Sequence, residues 1–325
     1  MDAITTNSLS RRFGDVNAVE SLDLTVQTGE IYGFLGPNGA GKSTTINMLL
    51  GFTPPSTGSG TVLGSDLEHE SVAVRQSIGV LPEDFGVYGR LTARKHVRFA
   101  IETKGANDDP DDLLARVELA DVADRTAGGF STGMKQRLAL AMALAGSPDL
   151  LILDEPSSGL DPNGAREMRA IIREENERGT TVFFSSHVME QVEAICDRVG
   201  IMRDGRLIAE DAIDSLKDRF DADSRLVVTL DTVADDIVPT LETMNGVTDV
   251  NVDGNDVSVV VADASRKAPV IEAVGASGVT IEDIRIDDSS LEDLFATLTT
   301  GERPTSRHAE ENAANTTQLI READQ

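Results

Sequence analysis

The sequence predicts an α/β protein, with a mostly parallel sheet covered by helices, followed by a small α+β domain of ferredoxin-like order. Three observations predict it. Short apolar runs bounded by Gly, Pro or Asp fit strands buried on both faces: IYGFL at 31–35, LLIL at 150–153 and TVFF at 181–184. Helical stretches at 42–50, 138–145, 165–177 and 188–196 alternate with those runs, as crossover connections in a parallel sheet require. After about residue 216 the order becomes β-α-β-β-α-β, that of a split β-α-β unit.

The first domain is expected over residues 1–216. Its strand at 31–35 runs through a Gly-rich turn into the helix at 42–50. A helical insert is expected at about 86–145, and the acidic turn NDDPDD at 107–112 interrupts it with Pro110 and clustered Asp. The strands at 150–153 and 181–184 follow, each with a helix after it. In the second domain, over 222–300, strands are expected at 225–230, 247–252, 257–262 and 279–286. Its helices are expected at 235–244, 265–274 and 291–298. The turn Asp253-Gly254-Asn255-Asp256 and the alternation of Val257, Val259 and Val261 mark a hairpin. Residues 301–325 are polar and aperiodic, the composition of a disordered tail.

The 325 residues carry 29 basic and 56 acidic side chains, for a net charge of −27 and a pI near 4.4. Only 6 residues are Lys, against 23 Arg. That balance excludes a nucleic-acid partner, because phosphate contacts need basic patches, and it repels anionic lipid. One reading is an acidic partner-binding surface. The other is a fold kept soluble in strong salt, where self-repulsion is screened. The acidic excess spans both domains, so a halophilic cytosol is the expectation. Cys196 is the only cysteine, and no intrachain disulfide can form. The chain opens without a basic stretch leading into an apolar one, and no apolar run approaches the ~18 residues that cross a bilayer. A soluble protein is expected, reaching a membrane only through a partner.

Gly36-Pro37-Asn38-Gly39-Ala40-Gly41-Lys42-Ser43-Thr44 matches the P-loop pattern G-x-x-x-x-G-K-[ST], with a strand before it and a helix after. The glycines let backbone N–H groups curl around a phosphate, and the helix points its positive end at the anion. Lys42 is placed to reach the β- and γ-phosphates of ATP, and Ser43 to bind Mg²⁺. A Gly-rich turn matching by accident is the plain alternative. The second half of such a site is a strand ending in an acid, and Leu153-Asp154-Glu155 supplies it. Asp154 is expected in the Mg²⁺ shell. Glu155, projecting differently because strand side chains alternate, is expected to orient or deprotonate the attacking water. Two solvated acids at a strand end are the alternative.

Phe130-Ser131-Thr132-Gly133-Met134-Lys135-Gln136-Arg137 resembles the signature loop of ABC ATP-binding cassettes. Ser158-Gly159-Leu160-Asp161 resembles that family's D-loop, and Ser185-Ser186-His187 its switch histidine. Phe13, 23 residues before Gly36, stands where the family has an aromatic on adenine. These segments occur in family order across residues 4–215, about two thirds of the chain. The resemblance implies an ATP-hydrolysing subunit of a transporter, with export favoured, closest to the drug-resistance and sodium-export type. It implies that Ser131 and Gly133 close on the γ-phosphate held by a second ATP-binding subunit, that Asp161 is a nucleotide-binding residue, and that His187 contacts the γ-phosphate. It also implies a separate multi-span membrane permease, met near residues 85–94, and a place at the inner face of the cell membrane. A helix cap at Ser131, an ordinary strand-end histidine at 187 and a core aromatic at 13 are the plain alternatives. Glu83 stands where the family usually has Gln, and it is the third expected metal-site residue; its carboxylate would either bind Mg²⁺ tightly or stand outside its shell. Thr132 and Met134 replace the usual Gly and Gln. A non-transport ABC ATPase or an ATP-dependent regulatory module is the alternative function.

Overall fold

The computed structural model describes residues 2–216, 224–234, 237–262, 264–287 and 295. Most of the closing helix expected at 291–298, and all of the tail expected at 301–325, lie outside the described residues. The chain falls into two compact units that divide between Ile213 and Asp214.

The first unit runs β1 (Asp2–Phe13), β2 (Val16–Gln27), β3 (Ile31–Leu35), α1 (Lys42–Leu49), β4 (Thr57–Val62), β5 (Ser65–Asp66), α2 (Ser71–Ser77) and β6 (Ile78–Leu81). A helical insert follows with α3 (Ala93–Lys104), α4 (Pro110–Arg116) and α5 (Thr132–Ala143). The chain returns through β7 (Leu150–Asp154), α6 (Pro162–Glu177), β8 (Thr181–Ser186), α7 (Met189–Glu193), β9 (Arg198–Arg203) and β10 (Arg206–Ala212).

Two sheets form. The larger has the order β10-β9-β3-β8-β7-β6, parallel throughout except for β10, which pairs antiparallel at the edge. β3, β7 and β8 are buried at every position, as their unbroken apolar runs require. The smaller sheet, β2-β1-β4-β5, is antiparallel and was not anticipated from the sequence. Bulges explain why. The β1–β2 register shifts between Asp2 and Ile4, between Thr6 and Leu9 and again between Leu9 and Arg11, and Ser8 and Ser21 take left-handed φ of 46° and 48°. Each shift resets the alternation, so Ala3 and Ile4 are both buried and the period of two is lost. The core lies where the two sheets and α1 meet. Ile4, Leu22 and Leu24 pack there with Ile46 and with Phe183, whose ring lies 5.9 Å from Tyr32 and 5.1 Å from Phe34.

The helices of the insert start where side chains cap them. Thr92 caps α3, Asp109 caps α4 ahead of Pro110, and Ser131 caps α5. The helix expected at 188–196 is only the short α7. Beyond it the chain turns into β9, and the Asp197 carboxylate accepts from the Ile31 N–H at 2.8 Å.

The second unit contains β11 (Ser224–Leu230), α8 (Ile237–Glu242), β12 (Val247–Asp253), β13 (Asp256–Val261), α9 (Lys267–Ala276) and β14 (Ile281–Asp287). Its sheet has the order β12-β13-β11-β14, antiparallel throughout, so β13 lies between β11 and β12. The β12–β13 hairpin closes through Gly254 and Asn255, with Gly254 at φ 60°. Val257, Val259 and Val261 alternate into a core of their own with Leu226, Val228 and Val270.

Candidate functional site

In a parallel sheet the ends of the strands open onto a common edge, and that edge is where ligands bind. Here β3, β7 and β8 end together: Leu35 pairs with Ser186, and Asp154 with Ser185. The turn after β3 carries the P-loop, the turn after β7 carries Glu155, and the turn after β8 carries His187. A cavity of about 580 Å³ lies there, lined by Pro37, Asn38, Gly39, Gly41, Lys42, Ser43 and Thr44, by Glu83 and Glu155, and by Val16, Asn17, Ala18, Asp204 and Gly205.

The loop closes tightly against its neighbours. Gly41 precedes α1 at φ 107°, and a Cβ there would stand 2.5 Å from the Ala18 carbonyl oxygen, so only glycine fits. Gly36 and Ala40 contribute through the backbone. The Gly36 carbonyl accepts from Lys42 Nζ at 2.7 Å, and the Ala40 carbonyl from the Gly205 N–H at 3.0 Å. Lys42 is 6% exposed, and its Nζ lies 3.4 Å from Glu155 Oε1.

Strand alternation is not what separates the two acids. β7 stops at Asp154, and Glu155 takes a left-handed φ of 50°. That turn sends its carboxylate back over the P-loop, where Oε2 lies 2.9 Å from His187 Nδ1. Glu155 Oε1 is buried and has no hydrogen-bond partner. A buried carboxylate oxygen beside a phosphate loop, paired in charge with Lys42 but without a hydrogen bond, fits a donor carried in with the substrate. Asp154 accepts from Ser185 Oγ at 2.6 Å. Burial lifts the Asp154 carboxyl above its ordinary range; the Ser185 hydrogen bond works against the lift, and the Glu155 charge adds to it. The Glu83 carboxyl is also lifted, by burial first and then by the charges of Asp154 and Glu155.

Crowded carboxylates of this kind fit a cation. Mg²⁺ is ordinarily held by one or two carboxylates together with substrate phosphates, and Ser43, Asp154 and Glu83 offer that set. A lifted carboxyl keeps its proton to higher pH in the native state than in the unfolded chain, so ionising it lowers stability as pH rises. Asp154→Asn should therefore melt higher than the parent at neutral pH without nucleotide. Its advantage should shrink as pH falls through the carboxylate range, which calorimetry across pH would show. A variant no more stable than the parent at neutral pH would contradict this electrostatic account.

Four of the expected residues stand away from the cavity in their own chain. Phe13 ends β1 half-exposed, with the Arg11 guanidinium 4.4 Å above its ring. Ser131 accepts from the Met134 N–H at 3.3 Å as the cap of α5, and Gly133 lies in the first turn of that helix. Asp161 caps α6, accepting from the Gly164 N–H at 2.7 Å. Conversely, no local pattern points to Val16, Asn17 and Ala18, or to the Asp204-Gly205 turn, as walls of the cavity. An Asp-Gly pair marks a hairpin turn, but not what that turn packs against.

A phosphate loop, an acid-ended strand and a histidine meeting a buried glutamate define a P-loop ATPase. A family model described as ABC transporter matches residues 19–158. The chain is 35% identical over 301 residues to the bacitracin transport ATP-binding protein BcrA of Bacillus licheniformis, covering 92% of this chain and 97% of that one. It is 34% identical over 307 residues to the daunorubicin resistance ATP-binding protein DrrA3 of Streptomyces coeruleorubidus, covering 93% and 97%. Among solved structures, cbiO1 from Clostridium perfringens, part of the ABC transporter complex cbiONQ, superposes with a TM-score of 0.61 at 27% identity, covering 66% of this chain and 90% of that one. The chain belongs to the ABC transporter ATP-binding proteins. It binds and hydrolyses ATP to drive transport, and domains of this family work as dimers with a membrane permease. Among the described residues, no helix is long and apolar enough to cross a membrane.

Proposed function

We propose that two copies of this chain hold two ATP molecules between them at the inner face of the membrane and drive export through a separate permease. One observation carries the hydrolytic reading: the buried Glu155 carboxylate stands between Lys42 and His187, with Oε1 held by the Lys42 charge but by no hydrogen bond. In this reading Glu155 Oε1 takes the proton of the attacking water, and His187 Nδ1 keeps Glu155 aimed. Lys42 and the backbone N–H groups at the start of α1 bind the β- and γ-phosphates. Ser43, Asp154 and Glu83 hold Mg²⁺, which when bound neutralises phosphate charge. Phe13 offers its ring to adenine.

Gly133 supports the paired arrangement. Glycine early in a helix costs about 1 kcal/mol against alanine, yet its own fold does not require it here. A Cβ at Gly133 would meet only Leu160 Cδ2, at an ordinary 3.7 Å. The absence of a side chain leaves room for something outside the chain, and the nucleotide of a second copy fits. Export is supported by the relatives named for bacitracin transport and daunorubicin resistance, which match both units of this chain.

With Mg²⁺ and a non-hydrolysable ATP analogue, sedimentation velocity should show a doubling of mass. Gly133→Arg should bind the analogue as the parent does and remain single. If the parent also stays single under these conditions, the homodimer is wrong.

A further inference from the structure

Ser185 has no place among the residues expected to act on nucleotide, yet among the described residues it is the one side chain hydrogen-bonded to both Asp154 and Glu155. It lies on β8 directly across from Asp154 on β7, and it is fully buried. Its Oγ donates to Asp154 Oδ1 at 2.6 Å and accepts from the Glu155 N–H at 3.0 Å. A hydroxyl has one proton to give, an ionised carboxylate can only accept, and an amide N–H can only donate, so both directions are fixed. The neighbours Val182, Phe183 and Phe184 on the same strand are buried and apolar. A hydroxyl at 185 adds nothing to that core, and its value lies in the two hydrogen bonds.

Glu155 needs such an anchor. A glutamate enters left-handed backbone only when its surroundings hold it there. Here its N–H is held by Ser185, and its carbonyl accepts from the Ser158 N–H at 3.0 Å. Released to the ordinary extended or helical regions, the residue would carry its carboxylate away from Lys42 and His187. Asp154 would meanwhile lose the 2.6 Å donor that, with Ser43, fixes the rotation of its carboxylate about χ2.

We infer that Ser185 is the positioning residue that aims both carboxylates at once, Asp154 toward the cation and Glu155 toward the terminal phosphate. This rests on the roles proposed above for Asp154 and Glu155. Metal-free ADP binding depends on the P-loop and on the Phe13 ring, neither of which Ser185 touches.

The test compares Ser185→Ala, which deletes the hydroxyl, with Ser185→Thr, which keeps it on a residue suited to a strand. Ser185→Ala should lower kcat by about 10- to 100-fold and weaken Mn²⁺ binding to the ADP complex, read by electron paramagnetic resonance, by a comparable factor. Affinity for ADP in EDTA should not change, and exchange of the Glu155 amide hydrogen should accelerate. Ser185→Thr should restore kcat and Mn²⁺ binding. Parent-like kcat in Ser185→Ala overturns the inference. So does a loss of metal-free ADP binding as large as the loss of kcat, because that would report collapse of the whole loop. Should Ser185→Ala fail to fold, the parent still decides. Its Glu155 amide must exchange slowly, and exchange at the rate of an open loop refutes the anchor. The underlying reading fails separately: Glu155→Gln and Asp154→Asn would then turn over ATP at the parent rate, whatever Ser185 does.

Discussion

Glu155→Gln should lower ATP turnover by about 10²- to 10⁴-fold while leaving nucleotide binding intact. The substitution keeps the volume and the reach of the side chain, so the left-handed turn after β7 and the approach to His187 persist. What it removes is the capacity to take a proton. The amide also removes the negative partner of Lys42, 3.4 Å away, and frees that ammonium for phosphate. Affinity for a non-hydrolysable analogue should therefore equal or exceed that of the parent. Phosphate-release kinetics and calorimetric titration measure the two quantities. Turnover at the parent rate would remove Glu155 from the chemistry.

Lys42→Ala should behave in the opposite way. Loss of a charge-assisted phosphate contact should weaken ATP binding by about 10- to 100-fold, and turnover at fixed ATP would fall with it. There is also a cost without any nucleotide. Lys42 and Glu155 are 6% and 7% exposed as a pair, and removing Lys42 leaves Glu155 buried with only the His187 contact. Breaking a buried pair in this way destabilises by about 3 kcal/mol or more, visible as a lower urea midpoint. The double variant Lys42→Ala with Glu155→Gln should regain much of that stability but none of the nucleotide affinity, because the coupling is confined to the pair. Equal destabilisation in single and double variants would show that Lys42 supports the fold by packing alone.

The parts of the site that were legible in the sequence are those that lie on one stretch of chain. The P-loop announces itself because strand, glycines, lysine and helix are consecutive, and Asp154 because an unbroken apolar strand runs straight into it. The geometry of Glu155 was not legible from alternation, since β7 ends one residue earlier. Pro156 points the other way, because a residue before proline favours extended backbone, and Glu155 is left-handed all the same. The walls formed by 16–18 and 204–205 were hidden for another reason. They reach the cavity through the pairing of distant strands, and the bulges at Ser8 and Ser21 had already erased the pattern of the first two. Phe13 shows the limit of spacing as a guide. Its distance from Gly36 places it near the site, but the face of its ring is set by Arg11, two residues away on the same strand. In the second unit, by contrast, the hairpin was readable in full, because the chemistry of its turn and its alternation agree.

The contact between Lys42 and Glu155 bears on the direction of the reaction cycle. Without nucleotide, the strongest positive charge in the cavity is already matched, so the cavity does not present a bare cation to passing phosphate. An arriving triphosphate gains at Lys42 only the difference between two pairings, and that difference favours a ligand with several charges and further contacts over inorganic phosphate. Once the terminal phosphate leaves, Glu155 stands ready to take its place against the ammonium. In the proposed cycle the carboxylate that takes the proton then acts as a pawl, closing the ligand position behind the departing product and opposing its return.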